Sequence, residues 1–186
     1  MGNFSLKFDK FWETFIKYNG YVKVLEGLKN TLTIAVLGLI IGIVIGTLIA
    51  TARVIPQYKV LPRILNKICS FYVALFRGTP IVVQLLVFYY VLLPLMGSRM
   101  TGIQVAVMVF GLNSAAYISE IMRGGIMSVD SGQMEAGRAV GLSFGTTMLK
   151  IVIPQAVKNI LPTMGNELIA LIKDTSVVSF VGATDL

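Results

Sequence analysis

Apolar runs separated by short charged stretches set the pattern of this chain. Asn30–Ala52, Gly78–Ser98 and Met100–Ser119 contain no Asp, Glu, Lys or Arg. A helix needs about 20 mostly apolar residues to cross a hydrocarbon core about 30 Å thick, so each run predicts one membrane-spanning helix. A fourth span is predicted over about Gln155–Ile172, where Lys158 and Glu167 interrupt an otherwise apolar stretch. A fifth apolar stretch begins at Thr175, but its residues up to Leu186 reach only about 18 Å as a helix, too short to cross. The pattern predicts an all-α integral membrane protein of about five transmembrane helices. The last is incomplete in this sequence, and the natural C-terminus is expected to lie beyond Leu186.

Local signals refine these elements. Gly38, Gly42, Gly46 and Ala50 recur every four residues, placing small side chains along one face of the first span, where another helix can approach closely. Arg77-Gly78-Thr79-Pro80 reads as a turn into the second span, with Thr79 as N-cap and Pro80 in the first helical position. Residues 1–29 form a separate N-terminal segment of mixed charge, without the compact apolar core and small-residue cleavage site of a signal peptide. Phe4, Phe8, Phe11, Trp12 and Phe15 give it an apolar stripe suited to the membrane interface. Residues 30–186 form the transmembrane domain.

Composition agrees with a bilayer protein: 55% of residues are hydrophobic and 13% charged, against about a quarter charged in soluble domains. The net charge of +7 is concentrated at particular places. Arg53, Lys59, Arg63, Lys67 and Arg77 lie between the first two spans with no acidic residue among them. The positive-inside rule puts that connection in the cytoplasm, the N-terminus outside and residues 123–150 in the cytoplasm. The charge is therefore a topological signal, and no nucleic-acid partner is expected. One cysteine, Cys69, excludes an internal disulfide, and the absence of His removes the commonest metal ligand and general base. No catalytic residue and no metal site is expected, so a membrane-embedded enzyme is disfavoured.

The cytoplasmic loop carries the most specific pattern. Asp130 and Gln133 have the spacing of a capping box, predicting a short helix over Gln133–Val140. Gly141 falls where a helix end wants positive φ, and Ser143 can cap a second short helix to about Lys150. Pro154 then opens the fourth span, and Pro162 is expected to kink it. Glu135 and Arg138, three apart, share a face: they either pair with each other or face a partner.

Glu135-Ala136-Gly137, Gly141 and Ile151-Val152-Ile153-Pro154 together resemble the EAA loop of bacterial ABC importer permeases. The usual form is Glu-Ala-Ala, three residues, Gly, nine residues, Ile-x-Leu-Pro; here Gly137 replaces the second Ala and Ile153 replaces Leu. Arg77–Pro80, Asn113–Ile126 and the segments Gly165–Ile169 and Lys173–Ser176 resemble the polar amino acid branch of that family, of histidine, glutamine or arginine type. The resemblance spans about residues 28–186. It implies the type I importer arrangement in a bacterial cell membrane, with residues 123–150 as a loop that couples to a separate ATPase through Glu135, Ala136, Gly137, Arg138, Gly141 and Pro154. It also implies a second permease copy or homologue, two ATP-binding subunits carrying ATP and Mg, and an extracellular solute-binding protein. This sequence has no Gly-x4-Gly-Lys-Ser/Thr phosphate loop, so no cofactor is expected on the chain itself.

Polar side chains in the hydrocarbon region are costly and face other helices or a water-filled path. Asn113, Asn166, Glu167, Lys173, Asp174, Thr175 and Ser176 are candidates for a path taken by a polar amino acid, since they offer groups for both ammonium and carboxylate. Lys173 and Asp174 equally suit an outer-interface position where they snorkel or pair. Glu120 is expected to pair with Arg123. An alternative reading is an ion-coupled secondary transporter in which Glu120, Glu167 and Asp174 relay protons, although no internal repeat of the kind common there is evident.

Overall fold

The computed structural model describes residues 2–17 and 19–183, with side chains from Leu6 onward. The Phe4 side chain and the last three residues of the fifth apolar stretch lie outside the described part. The elements are α1 (Gly2–Trp12), α2 (Gly20–Val54), α3 (Val60–Gly78), α4 (Ile81–Val87), α5 (Leu93–Leu95), α6 (Gly102–Met127), α7 (Ser131–Ala139), α8 (Phe144–Thr147) and α9 (Ile153–Asp174). A 3-10 helix, Thr175–Val181, follows α9. No strand occurs among the described residues.

Prolines determine how several of these pieces join. α4 and α5 are one helix interrupted by a π-helical turn at Phe88–Leu92, and α8 and α9 are joined by another at Met148–Val152. The N–H of Leu93 donates to Phe88 O, and that of Ile153 to Met148 O, each five residues back. Pro94 and Pro154 follow directly; a proline lacks the N–H and crowds the carbonyl four residues earlier, and the wider turn makes room. Pro154 lies in the first turn of α9, and α9 runs on past Pro162 as one helix.

Helix directions follow from which residues touch. A Cβ on Gly38 would meet Phe110, one on Gly42 would meet Ser114, and one on Gly46 would meet Ala115 and Ile118. Numbers rise together, so α2 and α6 run parallel, in close contact along the predicted small-residue stripe. Gly125 meets Ile160, Ser114 bonds Glu167 and Gly102 abuts Val181, so α9 runs antiparallel to α6. Parallel α2 and α6 require the chain between them to cross back once.

That return crossing differs from the expected helix over Gly78–Ser98. It consists of α3 and the α4–α5 helix, bent by 104° at the break between them. Residues 60–78 are helical because Leu61, Ile64, Leu65, Ile68, Phe71 and Leu75 present an apolar surface while Val73 and Phe76 turn inward. Arg63, Lys67 and Arg77 made this stretch read as a polar connection, since a search for charge-free runs passes over an amphipathic helix. Thr79 does not cap: Pro80 occupies the N-cap position of α4 and makes no side-chain cap bond. Counting the bent pair as one, three spans precede α7, with α2 and α6 each long and apolar enough alone. α9, of 22 residues, spans about 33 Å.

The main core joins Ile34 and Ala35 of α2, Leu85 of α4, Val105, Val109 and Phe110 of α6, Leu171 of α9, and Val178 and Val181 of the 3-10 helix. The expected fifth apolar stretch thus begins as a short helix packed inward. At the other end, α2 begins at Gly20, not Asn30, after Asn19 breaks the backbone with φ 54. Its 35 residues reach about 52 Å, so Lys23, Glu26 and Lys29 can ride on turns that extend past the hydrocarbon.

Candidate functional site

A cleft of about 480 Å³ opens where the α3–α4 break faces α6 and α9. Arg77 lies in the last turn of α3, and its guanidinium sits 5.1 Å from the centre of the Tyr117 ring, a cation-π distance. Glu167 and Asp174 enter from α9, Asn113 and Tyr117 from α6, and Gly78, Thr79 and Pro80 form the remaining wall. One cation and two carboxylates thus share a concave site beside an aromatic ring. Such a set can engage a zwitterion at both ends, guanidinium to carboxylate and carboxylate to ammonium.

Each polar group is placed by packing. Gly42 lets α2 approach α6 at Ser114, whose hydroxyl donates to Glu167 at 3.1 Å. The Asn113 amide donates to Gln84 Oε1 at 3.0 Å and to Phe76 O at 3.3 Å. Of the residues proposed for the solute path, the structure brings Asn113, Glu167 and Asp174 together. Asn166, Lys173 and Ser176 are exposed outside the cleft lining, and Ser176 donates to Lys173 O. Thr175 is buried, with its hydroxyl on Ile172 O. Glu167, Ala170, Leu171 and Asp174 lie three, four and seven apart on one face of α9, a helical period that separates Glu167 and Asp174 from Asn166 and Lys173. Arg77 and Tyr117 were missed. Tyr117 follows Asn113 by four and shares its face, while Arg77 reads from sequence as part of a turn between two spans.

The loop forms the expected helix, turn, helix. Asp130 accepts the Gly132 N–H at 2.6 Å, but Gln133 does not complete a capping box. It accepts instead from Gln155 Nε2 at 3.2 Å, tying α7 to α9. Gly141 has φ 88, and Ser143 caps α8 through the Thr146 N–H. Gly137 is buried against Thr147, leaving no room for a Cβ there. Arg138 donates to Leu142 O at 3.1 Å and does not pair with Glu135. Glu135 and Ala136 are exposed, and among the described residues Glu135 makes no ion pair. Pro154 sits just beyond, at the start of the long helix that carries the cleft carboxylates.

Glu120 pairs with Arg123 at 2.8 Å, as expected, and also with Arg53. This cluster ties the ends of α2 and α6 together, in keeping with their parallel packing.

Membrane helices around a charged cleft, joined to a folded polar loop, define the membrane-embedded permease class of transport proteins. The sequence model for "Binding-protein-dependent transport system inner membrane component" matches residues 38–185. The chain belongs to that family and is a permease subunit of an ABC transporter, which sets aside the ion-coupled reading. It is 41% identical over 163 residues to the arginine transport system permease protein ArtQ of Bacillus subtilis, covering 88% of this chain and 72% of that one. It is 40% identical over 164 residues to the glutamine transport system permease protein GlnP of Escherichia coli K12, covering 88% and 73%. Among solved structures, an amino acid ABC transporter crystallised with histidines superposes with a TM-score of 0.83 at 36% identity, covering 93% of this chain and 77% of that one.

Proposed function

We propose that this chain imports a polar amino acid by alternating access, as half of a permease pair driven by two ATP-binding subunits and supplied by an extracellular solute-binding protein. ATP and Mg belong to the partner subunits. The N-terminus lies outside and α7–α8 face the cytoplasm of a bacterial cell. Relatives named for arginine and glutamine support the substrate class, and the paired cationic and anionic groups of the cleft suit any such solute.

The observation that carries this reading is the continuity of helix from Phe144 to Asp174. One end packs under the exposed Glu135 loop and the other bears Glu167 and Asp174, so a pull on the loop is transmitted to the cleft through a single element. Glu135→Arg is expected to abolish solute-stimulated ATP hydrolysis or assembly with the ATPase, while membrane insertion stays intact. Full stimulated hydrolysis by the variant complex in proteoliposomes would sink the coupling role.

A further inference from the structure

Pro80 creates a hydrogen-bond deficit at the α3–α4 break. In a continuing helix the Phe76 carbonyl would accept the N–H of residue 80, which a proline lacks. At membrane depth such a carbonyl has no water to turn to and must find a partner inside the protein.

Gln84 supplies it. Its side-chain amide donates to Phe76 O at 2.8 Å, to Thr79 O at 3.0 Å and to Thr79 Oγ1 at 2.9 Å. Two N–H groups are thus spread over three acceptors on the far side of the break. Its carbonyl accepts from Asn113, and its own backbone N–H donates to Pro80 O at 3.1 Å. Gln84 is 7% exposed and does not line the solute cleft; it lies behind the wall that Arg77, Gly78, Thr79 and Pro80 form. Phe76 O precedes the Arg77 backbone directly, so fixing that carbonyl fixes the root of the cleft's cation.

We propose that Gln84 is the positioning residue of the solute cleft: by clamping the Phe76 and Thr79 carbonyls it sets the 104° break and holds the Arg77 guanidinium at Tyr117, in the cleft of Glu167 and Asp174. This rests on the reading of the cleft as an amino acid site. The requirement is for a side chain that donates twice and accepts once; leucine does neither, methionine offers only a weakly accepting sulfur and no donor, and ionised glutamate turns an acceptor toward acceptors.

The test uses the complex with its ATP-binding subunits in nanodiscs, the solute-binding protein left out, and labelled L-arginine, L-glutamine and L-histidine as probes in turn. Spin labels at Leu65 and Leu95, both exposed, report the bend in a Cys69→Ser background. Gln84→Leu is expected to assemble, to hydrolyse ATP at the unsubstituted basal rate, to bind the amino acid at least tenfold more weakly and to broaden the label distance. Gln84→Met, unbranched and of similar length, is read if Gln84→Leu does not assemble. Unchanged affinity or an unchanged narrow distance overturns the proposal. So does failure of both variants to assemble, which makes the residue a structural one. No amino acid binding by the unsubstituted complex would overturn the cleft reading instead, and the label distance would still decide whether Gln84 fixes the break.

Discussion

Ser114 meets two requirements at once. It fills the space that Gly42 leaves between α2 and α6, and its hydroxyl holds the Glu167 carboxylate. A Cβ on Gly42 would stand 2.7 Å from Ser114 Oγ. Gly42→Ala should therefore cost about 1–3 kcal/mol by overpacking, seen as a lower midpoint in thermal unfolding of the detergent-purified complex. Gly165→Ala is the control: nothing lies within 4 Å of the added methyl, and alanine favours the helix, so the midpoint should hold or rise slightly. The small-residue stripe was legible because a period of four has one physical meaning in a membrane helix. Arg77 was not, because a cation beside Gly-Thr-Pro fits equally well on a loop or at the end of a helix. Only the amphipathic period of residues 60–78 would have decided between them.

At the scale of elements, one of the loop's two departures from the usual form, Gly137, has a visible cause. Gly137 stands where the resemblance leads one to expect alanine, and Thr147 occupies the space that the missing methyl leaves. α7 and α8 are locked together by this contact, by the Arg138 bond to Leu142 O and by the positive φ of Gly141. Gly137→Ala should push the two helices apart and lower solute-stimulated ATPase severalfold. Thr147→Ala added to it should restore most of that loss, because it removes both γ atoms that the new methyl strikes. A double-mutant cycle on stimulated hydrolysis checks this; purely additive losses would show that the contact does not set the loop's shape. The helix, turn, helix form was readable from Asp130, Gly141 and Ser143, whose preferences are strong and local. The capping box was not, since Gln133 is drawn away by Gln155, a residue distant in sequence.

For the whole molecule, the charge pattern and the run lengths anticipated the number of crossings before α7, and the parallel packing of α2 and α6 requires the same number. What the pattern missed is that one crossing is composite. α3 carries Arg63, Lys67 and Arg77. The Ile81–Leu95 arm is only about 22 Å long, short of the hydrocarbon thickness. Neither arm has the makings of a segment that leaves the translocation channel for lipid by itself, so biogenesis of the protein is expected to depend on the order in which its helices emerge. A released chain ending at Thr101 should leave a cysteine at Met96 reactive to impermeant maleimide on the side of synthesis, whereas a chain that includes α6 should protect it. Protection in both would mean that the bent pair inserts unaided. If α6 is the template, the break that shapes the cleft also makes insertion of the second crossing wait for the third.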